Sequence, residues 1–259
     1  MRITVLTLLL VAVATAAPRS PSRIIGGDVT TIDKYPSMAA IIYSQNLVTF
    51  YQFCGGTIIN NRSILSAAHC VDYVTTETVR ARVGSSFANS GGEVLPLANI
   101  IIHPDYRYIR DAHDITILQT AVEIRYSDTV QPAPIAGPSY NLADDEVVWA
   151  TGWGQTEPSE QLRDVQVWTV NHEICRHRYA LSLMRITTDM LCIGWLDVGG
   201  RDQCMGDSGG PVYHNGVVVG VCSFGRGCAA ARFPGVNMRV SRYSNWIQEN
   251  AANRERIHL

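Results

Sequence analysis

Three residues of this sequence have the types and local settings needed for nucleophilic catalysis. Ser208 lies in the string GDSGGP (residues 206–211), whose glycines can adopt backbone angles closed to other residues and can approach a ligand closely. His69 lies in AAHC (residues 67–70), and Asp114 begins the apolar run DITIL (residues 114–118). A serine hydroxyl becomes a strong nucleophile only beside a general base, which a third group must orient. The sequence therefore predicts acyl transfer by Ser208, with His69 as the base and Asp114 as its orienting acid.

Each of these residues also has a purely structural interpretation. Ser208 could be a solvated residue of a glycine-rich turn, His69 is one of seven histidines, and Asp114 could bond its own backbone at a strand end. A G-x-S-x-G turn also occurs in the α/β-hydrolase fold, where the catalytic order is serine, acid, histidine. Here no Asp follows Ser208, and the next histidine, His214, precedes both later glutamates. The chain order argues against that fold.

The elements that must position these residues are mostly short β-strands. Short β-branched and apolar runs are separated by Gly, Pro, Asn and Asp, which predicts a barrel or a sandwich. The Pro-rich stretch Gln131–Pro138 is typical of a link between two halves. The C-terminus is the one good helix candidate, with Ser241 as its N-cap and an apolar face. The predicted strands are Gly56–Asn60, Val79–Val83, Ile115–Leu118, Val147–Ala150, Val165–Val170 and Val217–Val221, and the helix face is Trp246, Ile247 and Ala251.

The N-terminus has the pattern of a secretory signal peptide. Arg2 is followed by an apolar run, Ile3–Val13, and by small residues at Ala14 and Ala16. That run is too short to span a membrane, and no later run is longer. A buried N-terminal strand or helix is the alternative interpretation. We expect a signal peptide over residues 1–16 and a product that is secreted, not membrane-bound.

The composition of the 259 residues is that of a globular protein, with 46% hydrophobic and 17% charged residues. No basic block or basic helix occurs, so no nucleic-acid partner is expected. Twenty of the 21 basic residues are Arg, the only Lys being Lys34. Because Arg stays protonated far above pH 10, we hypothesise that the protein works in a strongly alkaline fluid. Drift in codon usage would give the same bias.

Seven cysteines are present, and none forms a C-x-x-C pair, so a zinc site is not expected. In a secreted chain, six of them would form three disulfides and one would be left over. Spacing does not decide which six. The cysteines are Cys54, Cys70, Cys175, Cys192, Cys204, Cys222 and Cys228.

Taken together, the motifs resemble those of the trypsin-like serine peptidases of the chymotrypsin family, and in particular insect digestive trypsins of the lepidopteran type. The resemblance runs from Arg23 to about Ile247. It implies an all-β fold of two six-stranded antiparallel β-barrels with a C-terminal helix, the first barrel over about residues 24–135 and the second over about 136–259. The motifs that carry it are RIIGG (23–27), AAHC (67–70), DI (114–115), GWG (152–154), GDSGGP (206–211) and SFG (223–225).

By this resemblance, His69, Asp114 and Ser208 form a catalytic triad in the cleft between the barrels. The backbone N–H groups of Gly206 and Ser208 would form the oxyanion hole, and Ser223 would support Asp114. In such a triad, the serine passes its proton to the histidine as it attacks a carbonyl.

The resemblance also implies a substrate pocket. Asp202 takes the position of the acid on the pocket floor, which implies cleavage after Arg or Lys; a surface acid beside Arg201 is the alternative. Gln203 stands where small residues are common, so we expect a weak preference for Arg. Residues 223–225 would pair with the substrate backbone as an added strand. The expected substrate-binding residues are Asp202, Gln203, Ser223, Phe224, Gly225 and Gly235.

The string at residues 23–27 resembles a zymogen activation site. Cleavage between Arg23 and Ile24 would release a propeptide of residues 17–23. The new amino group of Ile24 would then pair with Asp207 beside the nucleophile. Because Arg23 is itself a trypsin-type cleavage site, activation could be autocatalytic.

The family's disulfides would be Cys54–Cys70, Cys175–Cys192 and Cys204–Cys228, which leaves Cys222 as a buried free thiol. No cofactor or metal is expected, because the segment Ser85–Glu93 holds one acid where vertebrate trypsins bind calcium with several. The expected partners are protein or peptide substrates and proteinaceous trypsin inhibitors, and a monomer is expected.

Two alternative functions are those of a catalytically dead homologue and of a regulatory protease. Both fit less well, because the triad is complete and the pro-region is short.

Overall fold

The computed structural model describes residues 24–108, 112–154, 160–182 and 184–251. The expected signal peptide, the propeptide and Arg23 lie outside these residues. Two closed antiparallel β-barrels make up most of the described chain, as the resemblance implies. The predicted fold class is therefore confirmed. No helix among the described residues is long and apolar enough to cross a bilayer.

The first barrel closes in the strand order β2-β3-β4-β7-β6-β5. Its interior is filled by branched aliphatic side chains with no exposure, among them Ile41, Ile58, Ile64 and Ile117. Alternate residues of β5 are buried, as expected for a strand with one face on the core. The strands are β2 Met38–Tyr43, β3 Tyr51–Asn60, β4 Ser63–Ser66, β5 Val79–Val83, β6 Glu93–Ile102 and β7 Thr116–Thr120.

The second barrel closes because β8 and β9 pair at both ends of the order β9-β10-β13-β12-β11-β8. A short strand, β1 (Asp28–Val29), lies in the expected range of the first barrel but pairs with β9 of the second. The N-terminal segment therefore crosses to the second barrel. The strands are β8 Val147–Gly152, β9 Arg163–Val170, β10 Met190–Gly194, β11 Pro211–His214, β12 Val217–Phe224 and β13 Gly235–Arg239.

The Pro-rich stretch passes from one barrel to the other. The backbone N–H of Ala133 donates to Ile58 of β3 over 2.9 Å, and that of Ala136 donates to Val218 of β12 over 2.9 Å. Two side-chain contacts add to the interface between the halves. The Ser37 and Tyr213 hydroxyls lie 2.8 Å apart, and Tyr35 packs on Tyr213 with ring centroids 5.5 Å apart. These contacts fix the two barrels against each other.

The helices differ from prediction in two respects. The C-terminal helix, α2 (Val240–Ala251), begins one residue before Ser241, so Ser241 lies inside it and does not cap it. Ile247 and Ala251 are buried as predicted. A second helix, α1 (His172–Tyr179), was not predicted; the Asn171 side chain caps it by accepting from two backbone N–H groups. Only Cys175 and Tyr179 of α1 are buried, so its apolar periodicity is weak.

Candidate active site

His69 is held beside Asp114 by its backbone as well as by its ring. It sits in a single 3₁₀ turn, Ala68–Cys70, between β4 and the next loop. Its backbone N–H donates to Asp114 Oδ1 over 2.8 Å, and its Nδ1 lies 2.7 Å from Asp114 Oδ2. Because a carboxylate only accepts hydrogen bonds, Nδ1 carries the proton and Nε2 is the basic nitrogen. The imidazole is therefore oriented as a general base requires.

Asp114 is completely buried, and its hydrogen bonds come from both barrels. It precedes β7, at the edge of the first barrel. The hydroxyl of Ser223, from β12 of the second barrel, donates to Asp114 Oδ2. The register of β12 against β13 shifts between Cys222 and Phe224, so Ser223 lies in a bulge. Such a bulge redirects a side chain, here towards the carboxylate.

Ser208 lies in the loop between β10 and β11, and the first barrel packs directly on that loop. The backbone N–H of Gly55 on β3 donates to the Ser208 carbonyl oxygen over 2.7 Å. Gly209 has a φ of +78°, and a Cβ there would lie 2.2 Å from Ser66 Oγ. Only glycine fits this position. The loop can therefore approach the segment that carries His69.

The imidazole and the nucleophile loop share a contact with one sulfur atom. Cys70 Sγ lies 3.8 Å from His69 Nε2 and 3.7 Å from the Ser208 carbonyl oxygen. The His69 ring and the Ser208 backbone therefore both lie against the Cys54–Cys70 disulfide. Cys54, His69 and Cys70 form the one group of potential metal ligands close together in the described residues. Its two sulfurs are joined in a disulfide, so it does not offer a metal site.

Backbone hydrogen bonds fix the conformation of the chain just before and after Ser208. Gly210 N–H donates to the Asp207 carbonyl oxygen over 2.8 Å. The Ser208 N–H belongs to the same peptide unit as that carbonyl, so it points in the opposite direction. Asp207 N–H donates to the Cys204 carbonyl over 3.0 Å and closes a four-residue turn. Gly206 is the third residue of this turn, and its φ of +90° is the positive value that a type II turn requires.

Asp202 and Ser208 line one pocket. Asp202 is 4% exposed and accepts hydrogen bonds from the backbone N–H groups of Gln203 (2.8 Å) and Ala229 (2.9 Å). The pKa of Asp202 is raised to about 7, chiefly by burial and slightly by nearby Asp207, although the two hydrogen bonds act to lower it. The pocket is also lined by Gln203, Cys204, Met205, Cys222, Ser223, Phe224, Gly225, Gly227, Cys228, Gly235 and Val236.

Glycines and one amide shape this pocket. A Cβ on Gly235 would lie 2.7 Å from Asp202 Oδ1, so only glycine keeps the pocket floor open. Gln203 is 7% exposed, and its Nε2 has no hydrogen-bond partner among the described residues. A buried amide nitrogen without a partner costs free energy unless a ligand or water satisfies it. All six expected substrate-binding residues lie in this lining.

Ile24 and Asp207 are both completely buried. Asp207 Oδ1 accepts from Gly154 N–H over 2.8 Å, and Oδ2 accepts from Cys204 N–H over 2.9 Å. The next residue, Ile25, pairs with Asp202 through backbone hydrogen bonds of 2.9 and 3.2 Å. The segment that follows Arg23 is thus bonded directly to the pocket floor.

Three disulfides brace the site, and their pairs are those that the resemblance implies. They join Cys54 to Cys70 beside His69, Cys175 to Cys192 between α1 and β10, and Cys204 to Cys228 across the pocket. Cys222 is the free cysteine of the described residues. Burial and three nearby aspartates raise the pKa of its thiol well above the usual value, so it is a neutral thiol.

Sequence reasoning missed one polar residue at this site. Gln52 of β3 donates from Nε2 to the Gly206 carbonyl oxygen over 2.7 Å. Its only sequence signal is a polar residue between two aromatic ones, four residues before the predicted strand Gly56–Asn60. His113, which precedes Asp114, has a φ of +53°; its ring stacks on His103, and its Nδ1 lies 3.2 Å from the Tyr243 hydroxyl.

The comparisons with known proteins agree with this geometry. A family model described as Trypsin matches residues 24–247. The chain is 56% identical to "Trypsin, alkaline C" of Manduca sexta over 93% of this chain and 95% of the relative. It is also 56% identical to "Trypsin CFT-1" of Choristoneura fumiferana, over 97% of this chain and 100% of the relative. The chain therefore belongs to the trypsin family and is a serine endopeptidase.

Proposed function

We propose that this serine endopeptidase is a secreted digestive enzyme that hydrolyses peptide bonds after Arg or Lys. The observation that carries the proposal is the buried carboxylate of Asp202 in the pocket that also contains Ser208. A buried anion demands a cationic partner, and Arg and Lys are the cationic side chains long enough to occupy such a pocket. Their positive end would meet Asp202 while the scissile carbonyl lies at Ser208.

In the proposed reaction, His69, Asp114 and Ser208 act as one unit. Ser208 Oγ attacks the carbonyl carbon while its proton passes to His69 Nε2. The negative charge moves to the carbonyl oxygen, which accepts from the N–H groups of Gly206 and Ser208. The imidazolium gives its proton to the leaving amine as the C–N bond breaks. Water then repeats the sequence and releases the acid product.

The substrate backbone is expected to bind as an extra strand beside the end of β12. Gly225 follows that strand and is exposed, so its peptide groups are accessible to an extended chain. Ser223 and Phe224 complete this edge, next to the pocket. Main-chain pairing of this type supplies affinity without restricting the substrate's sequence, which suits digestion.

Activation is proposed to follow cleavage between Arg23 and Ile24. The full burial of Ile24 supports this, because a new amino group there would be buried and would need an anion. Asp207 is the proposed anion. Its pairing would tie the first residues of the active chain to the loop that carries Ser208. A signal peptide over residues 1–16 is proposed to direct secretion, with the gut lumen as the destination.

An alkaline working environment is also proposed. Two observations support it: the near-absence of Lys, and the word "alkaline" in the names of three Manduca sexta trypsins that are 55–56% identical to this chain. The proposed partners are protein substrates and proteinaceous inhibitors. A monomer without cofactor, metal, nucleic acid or membrane association suffices for this function.

A substrate panel tests the proposal. The precursor is expressed, activated, and assayed on matched peptides with Arg, Lys, Phe or Ala before the scissile bond. We expect hydrolysis of the Arg and Lys peptides only, Arg somewhat faster, and activity sustained to pH 10. Ser208→Ala should retain about 10³ to 10⁴-fold acceleration over water at most. Preferential cleavage of the Phe peptide would refute the specificity, and an optimum near neutrality with inactivation above pH 10 would refute the alkaline proposal.

A further inference from the structure

We infer that Gln52 is a positioning residue of the oxyanion hole. It lies on β3 of the first barrel, 154 positions from Gly206 in sequence, yet its Nε2 donates to the Gly206 carbonyl oxygen over 2.7 Å. The same nitrogen donates to the Cys54 carbonyl over 3.1 Å. Both of its protons therefore have acceptors. This inference rests on the proposed reaction, in which Gly206 N–H binds the oxyanion.

The Gly206–Asp207 peptide unit is held at both ends. Gln52 holds its carbonyl oxygen, and the Cys204 carbonyl accepts from its N–H over 3.0 Å. This peptide adjoins the turn in which Gly206 has its positive φ. A peptide fixed on two sides restricts the ψ angle of Gly206, and so restricts the conformations open to the turn.

The conformation of this turn decides whether the oxyanion hole exists. Type I and type II turns differ by a flip of the central peptide unit, which here joins Met205 to Gly206. That unit carries the Gly206 N–H. In the observed turn φ of Gly206 is +90°, whereas a type I turn needs about −90° at this position. A flip would turn the N–H away from its present direction, and the Gln52 bond opposes it.

Gln52 is itself fixed, so it can act as a rigid support. Its backbone N–H donates to Asn89 Oδ1 over 2.7 Å, and Asn89 Nδ2 donates to Glu160 Oε1 over 2.7 Å. The backbone of β3 also donates from Gly55 to the Ser208 carbonyl over 2.7 Å. One strand of the first barrel thus holds two carbonyl groups of the nucleophile loop.

The test is Gln52→Met, which keeps the length of the side chain and removes its donor. Removing an oxyanion-hole donor lowers kcat by roughly 100- to 1,000-fold. Because Gln52→Met would only loosen the Gly206 N–H, we expect a smaller fall in kcat, of about tenfold. The inhibition constant of a peptidyl-arginine aldehyde, whose adduct carries an oxyanion, should rise by the same factor. The inhibition constant of benzamidine, which occupies only the Asp202 pocket, should stay within about twofold.

Gln119→Met is the matched control, since the same change on β7 breaks a bond to the Asn250 carbonyl far from the loop. It should leave all three constants unchanged. Gln52→Glu keeps the shape of the side chain but cannot donate a hydrogen bond when ionised. It replaces Gln52→Met in the test if that variant does not fold. An unchanged kcat, or parallel weakening of aldehyde and benzamidine, would overturn the inference. Inactivity of the wild-type enzyme on Arg substrates would instead refute the proposed function.

Discussion

At the scale of single residues, the chemistry depends on two carboxylates in opposite environments. Asp114 accepts three hydrogen bonds, from the His69 backbone, the His69 ring and the Ser223 hydroxyl. Asp202 accepts two hydrogen bonds from neutral backbone N–H groups, and no cation of the described residues pairs with it. The protein therefore supplies the partners of Asp114, whereas the proposed substrate supplies the cationic partner of Asp202. Burial raises the pKa of Asp202, and its two backbone hydrogen bonds offset that effect only in part.

The raised pKa of Asp202 predicts how cation binding depends on pH. When the pH is below the Asp202 pKa of about 7, the carboxyl group of the free enzyme is mostly protonated, so a cationic ligand must displace a proton to bind. We expect the affinity of benzamidine, measured by calorimetry, to rise by nearly tenfold per pH unit well below pH 7, more slowly near pH 7, and to level off above it. Asp202→Asn should bind weakly at every pH. A wild-type affinity that is flat from pH 5 to pH 9 would contradict this.

Residue-level prediction from sequence rests on motifs that are local in the chain. The strings around His69 and Asp114 named two residues that hydrogen bonds join, and the strings around Asp202 and Ser208 named two residues that line one pocket. Gln52 could not be found this way, because its role depends on the contact between strand β3 and a loop of the other barrel. Nor does sequence indicate that Gln203 Nε2 is left without a partner in the described residues.

At the scale of elements, the nucleophile loop packs tightly against the first barrel because residue 209 is glycine. Gly209→Ala would force a positive φ on alanine and place Cβ 2.5 Å from the Gly55 carbonyl and 2.2 Å from Ser66 Oγ. We expect a loss of about 3 kcal/mol of unfolding free energy, or more, from strain and overpacking. Urea denaturation with intact disulfides measures it.

Gly137→Ala provides the control for that change. Nothing lies within 4 Å of a Cβ at Gly137. This variant should be neutral or stabilised by about 0.4–1 kcal/mol, because alanine restricts the unfolded chain. Equal urea midpoints for the two variants would contradict the tight fit of the loop.

The elements themselves were predicted best where strands have a strong pattern. All six predicted strand segments fall in observed strands, apart from a shift of one residue at the start of β7. Helix α1 was missed because only two of its eight residues are buried, so little apolar periodicity remains. The Asn171 cap was the available signal. Ser241 was wrong as a cap because the helix starts directly from the end of β13 at Val240.

At the scale of the whole molecule, buried tyrosines limit the alkaline range. Burial raises the pKa of Tyr35, Tyr213 and Tyr243 and raises that of Tyr179 to about 12. Each has an ordinary pKa of 10.0 when exposed, so above pH 10 the unfolded chain loses protons that the folded chain keeps. Their contribution to stability is full below pH 10 and falls above it.

We therefore expect the thermal midpoint of the active enzyme to be level from neutrality to about pH 10 and to fall beyond it. Above pH 10, each tyrosine that stays protonated in the folded state lowers the free energy of unfolding by up to about 1.4 kcal/mol per pH unit. Tyr35→Phe loses the bond to Asp164 and should lower the plateau, yet it should reduce the slope above pH 10. Scanning calorimetry measures both midpoints as a function of pH. A midpoint that still increases at pH 11, or a Tyr35→Phe variant whose midpoint falls as steeply above pH 10 as that of the wild type, would contradict the explanation.

The most direct test of the central claim is a burst titration of the activated enzyme with a p-guanidinobenzoate ester. Its cation should enter the pocket of Asp202 while its acyl group is transferred to Ser208. We predict about one equivalent of released phenol per molecule, acylation of Ser208 in the peptide map, and protection by benzamidine. Absence of a burst, acylation at another residue, or a burst that benzamidine does not suppress would contradict the account.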